Sequence, residues 1–111
     1  MPTGTVVLVA EFLAGPGQEE ALSDALAAMV APSEAEAGCL GYRPFTDPAR
    51  PGAMICLEEW RDEAALEAHF RTPHFKNVAR VLDDILATPF TLRRLTGTAT
   101  AQAPGREAGS G

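Results

Sequence analysis

The chain is short of most residues that specialised architectures need. Its 111 residues hold two cysteines, two histidines, and nine lysines and arginines against fifteen acids, a net charge of −6. Two cysteines do not make a disulfide-stapled scaffold. Cys39 and Cys56 fall in two short runs that read as paired strands. With the turn centred near residues 49 and 50, Cys39 faces about Trp60 and Cys56 faces about Arg43. The thiols are then offset along the hairpin, too far apart to bridge, and reduced cysteines in a cytoplasmic protein are expected. An acidic chain without a basic cluster is repelled by phosphate backbones and anionic lipid, so no nucleic acid and no membrane surface is expected as partner. The apolar run Val6 to Ala10, ended by Glu11, is far below a bilayer span, and Met1-Pro2-Thr3-Gly4 carries no basic leader. There is no Gly-rich phosphate loop and no Cys/His cluster, so neither a cofactor nor a metal is expected.

What is present suits one globular domain. Hydrophobic residues make up 46% and charged residues 22%, ordinary for a chain that buries roughly two-thirds of its unfolded surface. Thr5 to Leu13 has no helical spacing and stops at Gly15-Pro16-Gly17, which predicts a strand buried on both faces. Leu22, Leu26, Met29 and Val30 lie at helical spacing within Gln18 to Val30. Pro32 should kink or end that helix, with a last turn through Ser33 to Ala37 and a positive-φ stop at Gly38. Cys39 to Thr46 and Ala53 to Trp60 flank the turn-rich Asp47-Pro48-Ala49-Arg50-Pro51-Gly52, predicting a β-hairpin. Asp62 caps a helix from Glu63, and Thr72-Pro73 starts another that Thr88-Pro89 ends. Phe90 to Leu95 is a last strand.

The order β-α-β-β-α-β predicts an α+β, ferredoxin-like antiparallel sheet over residues 1–97. Residues 98–111 hold nothing large to bury and are expected to be a disordered tail. The first strand is apolar on both parities: Val6, Leu8, Ala10 and Phe12 against Val7, Val9 and Leu13. One parity meets the helices, and the other calls for a second sheet, hence a face-to-face homodimer.

Three stretches carry a family resemblance: Glu36-Ala37-Gly38-Cys39-Leu40-Gly41-Tyr42, Glu58-Glu59-Trp60-Arg61-Asp62-Glu63-Ala64-Ala65-Leu66-Glu67-Ala68-His69, and Thr72-Pro73-His74-Phe75. In this order and spacing the chain resembles the antibiotic biosynthesis monooxygenase family over about residues 5 to 96. The resemblance implies a dimeric α/β barrel with a cavity in each subunit between sheet and helices. It also implies a cofactor-independent oxygenase acting on a small aromatic substrate and dioxygen. In such an enzyme a hydroxylated aromatic gives up a proton, and its anion is the reductant for dioxygen. The haem-degrading branch of the family is disfavoured, because its Asn, Trp and His fall here at Ala10, His69 and Ala79.

His69 is the candidate general base, three residues past Leu66 on the same helical face. Otherwise it is a structural histidine hydrogen-bonded at the helix end. Trp60, on the parity of Met54, Cys56 and Glu58, either stacks on a planar substrate or fills the core. Glu58 points inward and either orients a histidine or pairs with Arg43 or Arg93. Tyr42 offers a hydroxyl to a substrate oxygen or caps the core, His74 is a solvated helix-end histidine or reaches the pocket mouth, and Phe70 and Phe75 are apolar wall with or without a ligand. A quinol or anthrone monooxygenase is the leading reading. A binding protein or an isomerase using the same apolar pocket is the alternative.

Overall fold

The computed structural model describes residues 4–96; the tail expected at 98–111 lies outside them. The elements run β1 (Val6–Leu13), α1 (Glu19–Ala28), α2 (Val30–Glu34), β2 (Cys39–Thr46), β3 (Ala53–Trp60), α3 (Glu63–Phe70), α4 (Pro73–Ile85) and β4 (Thr91–Thr96). They form one four-stranded sheet in the order β2-β3-β1-β4, antiparallel at every pairing. This is the ferredoxin-like arrangement, with the helices packed on one face.

Local signals account for most element ends. Gly17 and Gly52 carry positive φ, where the absence of a Cβ lets the chain turn after β1 and close the β2–β3 hairpin. The Asp62 side chain accepts from the Ala65 N–H and starts α3. The Thr72 hydroxyl accepts from the Phe75 N–H and starts α4, with Pro73 in its first turn. Pro32 lies inside α2, and the break falls earlier, at Met29, where α1 ends and α2 begins.

Two expectations need correction. Gly38 does not have positive φ; it is glycine because a Cβ there would collide with the Cβ of Ala65, so the β2 entry lies directly against α3. Cys56 faces Pro44, not Arg43. A register shift between Cys39 and Gly41 moves every later pair by one, while Cys39 still faces Trp60. Within a single chain β1 is buried on only one face. Val6, Leu8, Ala10 and Phe12 are buried against the helices, whereas Val7, Val9 and Leu13 are half-buried and Glu11 is exposed. The outer face also shows Phe45, Ile55, Leu57 and Leu95 to solvent.

The core lies between the inner sheet face and the helices. Leu22 and Leu26 of α1, Leu66 of α3 and Val78 and Leu82 of α4 pack on Leu8, Phe12, Cys56 and Trp60. Among the described residues no helix is long and apolar enough to cross a membrane.

Candidate functional site

The period of two in β3 sends Met54, Cys56, Glu58 and Trp60 to the helix side of the sheet. Tyr42 of β2 stands opposite Glu58. Over this patch α3 lays Ala65, Leu66 and His69, and His69 is only 1% exposed. The Thr72 hydroxyl then donates to the His69 carbonyl at 2.7 Å. This bond, with the α4 cap, folds the chain back so that His74 and Phe75 meet the His69 ring at 5.9 and 5.3 Å between centroids. Trp60 lies on its other side at 4.5 Å, with Tyr42 and Phe70 each at 5.9 Å.

The polar contacts form a connected set. Glu36, in the loop between α2 and β2, places Oε2 2.7 Å from His69 Nδ1 and 2.7 Å from His74 Nε2. An ionised carboxylate only accepts, so both of these ring nitrogens carry the proton. His69 is thereby the Nδ1–H tautomer, and its bare Nε2 lies 4.0 Å from Glu58 Oε1. The same Glu58 oxygen accepts the Trp60 indole N–H at 3.1 Å.

Burial governs the electrostatics. It pushes the Glu58 carboxyl up to about 7, helped by the Glu36 charge and opposed by the Trp60 and Cys56 hydrogen bonds. Burial pushes His69 down, and the Glu36 carboxylate pulls it back up. Glu58 is thereby raised past a histidine that burial lowers from its ordinary 6.5, so near neutral pH the carboxylate is the stronger base of the pair. The Cys56 thiol, buried beside Glu58, is pushed up to about 12 and stays neutral. Burial also raises Tyr42, which remains a phenol.

A cavity of about 20 Å3 lies between sheet and helices, lined by Leu8, Tyr42, Glu58, Phe70, Phe75 and Phe90 among others. It has room for about one water. The expected site residues therefore divide. Tyr42, Glu58, Phe70 and Phe75 reach the cavity, whereas His69, Trp60 and His74 do not line it. His69 communicates with it through Glu58. An aromatic substrate enters only if the Phe70, Phe75 and Phe90 wall moves. A larger hollow of about 500 Å3 sits at the opposite end of the sheet, by the hairpin turn, and holds none of these residues.

Glu58 does not pair with Arg43 or Arg93. Those arginines face Leu57 and Val9 on the outer side of the sheet. Glu36 is the participant that the sequence reading did not single out, although it stands at the head of the first motif. Among the described residues, Glu36, His69 and His74 also bring donor atoms within 4.8 Å of one another. Two nitrogens at 2.7 Å from one oxygen are hydrogen-bonded; donors around a tetrahedral metal stand about 3.3 Å apart.

The family model described as antibiotic biosynthesis monooxygenase matches residues 5–81. The chain is 36% identical over 81 residues to the Escherichia coli protein named Probable quinol monooxygenase YgiN, covering 64% of this chain and 78% of that one. It spans 60% of the length of a Synechocystis relative, sll1783, at 28% identity over 88 residues, or 79% of this chain. The crystal structure of PA3566 from Pseudomonas aeruginosa superposes with a TM-score of 0.82 at 38% identity, covering 89% of this chain and 99% of that chain. The fold, the three motifs and these matches agree: the chain belongs to the antibiotic biosynthesis monooxygenase family.

Proposed function

We propose that the protein is a cofactor-independent monooxygenase of a quinol, an anthrone or a related polyphenol, working as a homodimer. The observation that carries this reading is the buried acid–imidazole pair, with Glu58 at the polar end of an otherwise apolar cavity and His69 buried behind it. Glu58 takes a proton from the substrate and holds it toward the bare Nε2 of His69, the imidazole assisting the carboxylate as base. The substrate anion gives an electron to dioxygen, and the radical pair joins as a hydroperoxide. Loss of water then leaves a quinone carbonyl. Tyr42 donates a hydrogen bond to a substrate oxygen, and Phe70 and Phe75 keep the ring dry. The name of the Escherichia coli relative favours a quinol as the substrate class.

The dimer follows from the outer sheet face, where Ile55, Leu57 and Leu95 are 37%, 38% and 47% exposed beside half-buried Val7 and Val9. An apolar sheet face of this kind is stable in water only when covered.

Oxygen uptake tests the activity, using a panel of hydroquinones with no added flavin or metal. Wild type is expected to consume oxygen, and His69→Ala to slow consumption about 10²- to 10⁴-fold. Ligand binding without oxygen consumption above background would move the assignment to a binding protein or an isomerase.

A further inference from the structure

Oxidation of a CH₂ or aromatic C–H to a carbonyl by dioxygen releases water and no net proton. A proton removed at the start must be held while oxygen adds and then given back to the peroxide. The holder here is Glu58, whose burial favours the protonated carboxyl, with His69 Nε2 facing it at 4.0 Å.

We propose that Glu36 is the positioning residue of this site. It fixes His69 as the Nδ1–H tautomer with Nε2 directed at Glu58, and its charge strengthens Nε2 as acceptor for the proton that Glu58 holds. His74 clamps the carboxylate in place. This inference rests on the oxygenase reading above.

The geometry supports each part. One oxygen of Glu36 accepts from both rings at 2.7 Å, so its position is set by α3 and α4 together. The glutamate is anchored locally as well: its N–H donates to the Ser33 carbonyl, and its carbonyl accepts from Cys39 N–H. Charged and titratable groups around His69 come from every neighbouring element: Glu36 from the loop before β2, Tyr42 from β2, Glu58 from β3 and His74 from α4. Of these, Glu36 alone makes a hydrogen bond to the ring. Its pull on His69 acts against the burial that lowers the imidazole.

Protons balance along the path. The substrate C–H or O–H bond breaks and a Glu58 O–H forms. The Glu58 O–H is then shared in a hydrogen bond with His69 Nε2, while the His69 Nδ1–H stays hydrogen-bonded to Glu36. The 4.0 Å gap between Glu58 and His69 closes to hydrogen-bond length with a side-chain movement of about 1 Å. The same proton returns from Glu58 to the peroxide; the remaining C–H bond of the carbon bearing the peroxide then breaks as the C=O forms and the O–O bond breaks, and the departing OH leaves with that proton as water.

The test uses the full chain with ¹⁵N-labelled histidine. Wild type is expected to show His69 in the Nδ1–H tautomer by NMR; an Nε2–H tautomer there overturns the proposal without any variant. Glu36→Gln keeps the shape and an accepting oxygen but removes the charge. It is expected to lower the His69 protonation midpoint by about one pH unit or more. With a quinol substrate it should lower kcat about ten- to a hundredfold at little change in KM. A folded Glu36→Gln protein with an unmoved His69 midpoint overturns the proposal. If wild type consumes no oxygen with any quinol, the oxygenase reading fails, and the NMR results still decide whether Glu36 holds and polarises the imidazole.

Discussion

The two faces of the sheet bury opposite kinds of residue in opposite ways. The inner face takes in a carboxylate, an imidazole, a phenol and a thiol, with Glu58 and His69 only 4% and 1% exposed. The outer face leaves Phe45, Ile55, Leu57 and Leu95 in contact with water. Hydrophobic transfer alone would sort these residues the other way. Buried ionisable groups persist where they are hydrogen-bonded and used, and exposed apolar groups persist where something covers them. On the proposed function the contrast separates chemistry, inside one chain, from assembly, between chains.

The sharpest way to break that contrast is at Trp60, which is fully buried and donates its indole N–H to Glu58. Trp60→Ala should destabilise the fold by about 3–5 kcal/mol in a denaturant titration. Trp60→Phe refills most of the space but leaves Glu58 without its donor. It should lose less stability and displace the Glu58 titration upward, because that hydrogen bond favours the charged form. Equal losses for Phe and Ala would mean that packing alone accounts for the indole.

Glu58 itself gives the next effect. Its folded value, about 7, stands above the ordinary 4.5, so between those pH values the unfolded chain has released a proton that the folded chain retains. Stability attributable to Glu58 is full below about 4.5, falls as pH rises, and is lost by about 7, a change of about 3 kcal/mol. His69 runs the other way, since its lowered value makes stability rise with pH up to its ordinary 6.5. The difference between wild type and Glu58→Gln isolates the carboxyl. That difference should move against wild type between pH 4.5 and 7, as measured by urea midpoints. A pH-independent difference would place Glu58 in water.

On the outer face the expected effect is on assembly. Leu57 faces Val9 and Arg43 across the sheet. Leu57→Lys should weaken the dimer by about 2 kcal/mol, a ten- to hundredfold rise in dissociation constant, because an ammonium would be buried unpaired. Light scattering over a dilution series reads it. Wild type running as a monomer at micromolar concentration would remove the assembly half of the contrast.

How much of this could be read from the sequence depended on how local each signal was. Asp62 and Thr72 announced their helices within three residues, and the period of two placed Trp60, Glu58, Cys56 and Met54 on one face without any tertiary information. The family motifs brought His69 and Tyr42 into view. Glu36 escaped because it is one acid among fifteen, and the partner that gives it meaning lies 33 residues away. The shifted Cys56 pairing and the reason for Gly38 escaped for the same cause. A bulge near Cys39 and a close approach by Ala65 are properties of packed neighbours, with no periodic trace along the chain. The small size of the cavity was equally invisible, since a wall of phenylalanines reads the same whether it borders a substrate or a single water.

The smallest effect tests the seam between scaffold and site. Thr72 does two jobs with one hydroxyl: it accepts from Phe75 N–H at 3.2 Å and donates to the His69 carbonyl at 2.7 Å. Thr72→Ala removes both bonds, and loss of the cap should lower stability by about 1 kcal/mol, read as a modest drop in Tm. Thr72→Ser keeps the hydroxyl and should recover most of it. The hydroxyl also sets the turn that holds His74 against Glu36, so Thr72→Ala should loosen the His74 clamp and broaden the His69 ring signals, whereas Thr72→Ser should leave them sharp. If stability fell with Thr72→Ala while the ring signals stayed sharp, helix capping and site geometry would be separable here, and His74 would owe its place to its contacts with Glu36 and the His69 ring rather than to the turn.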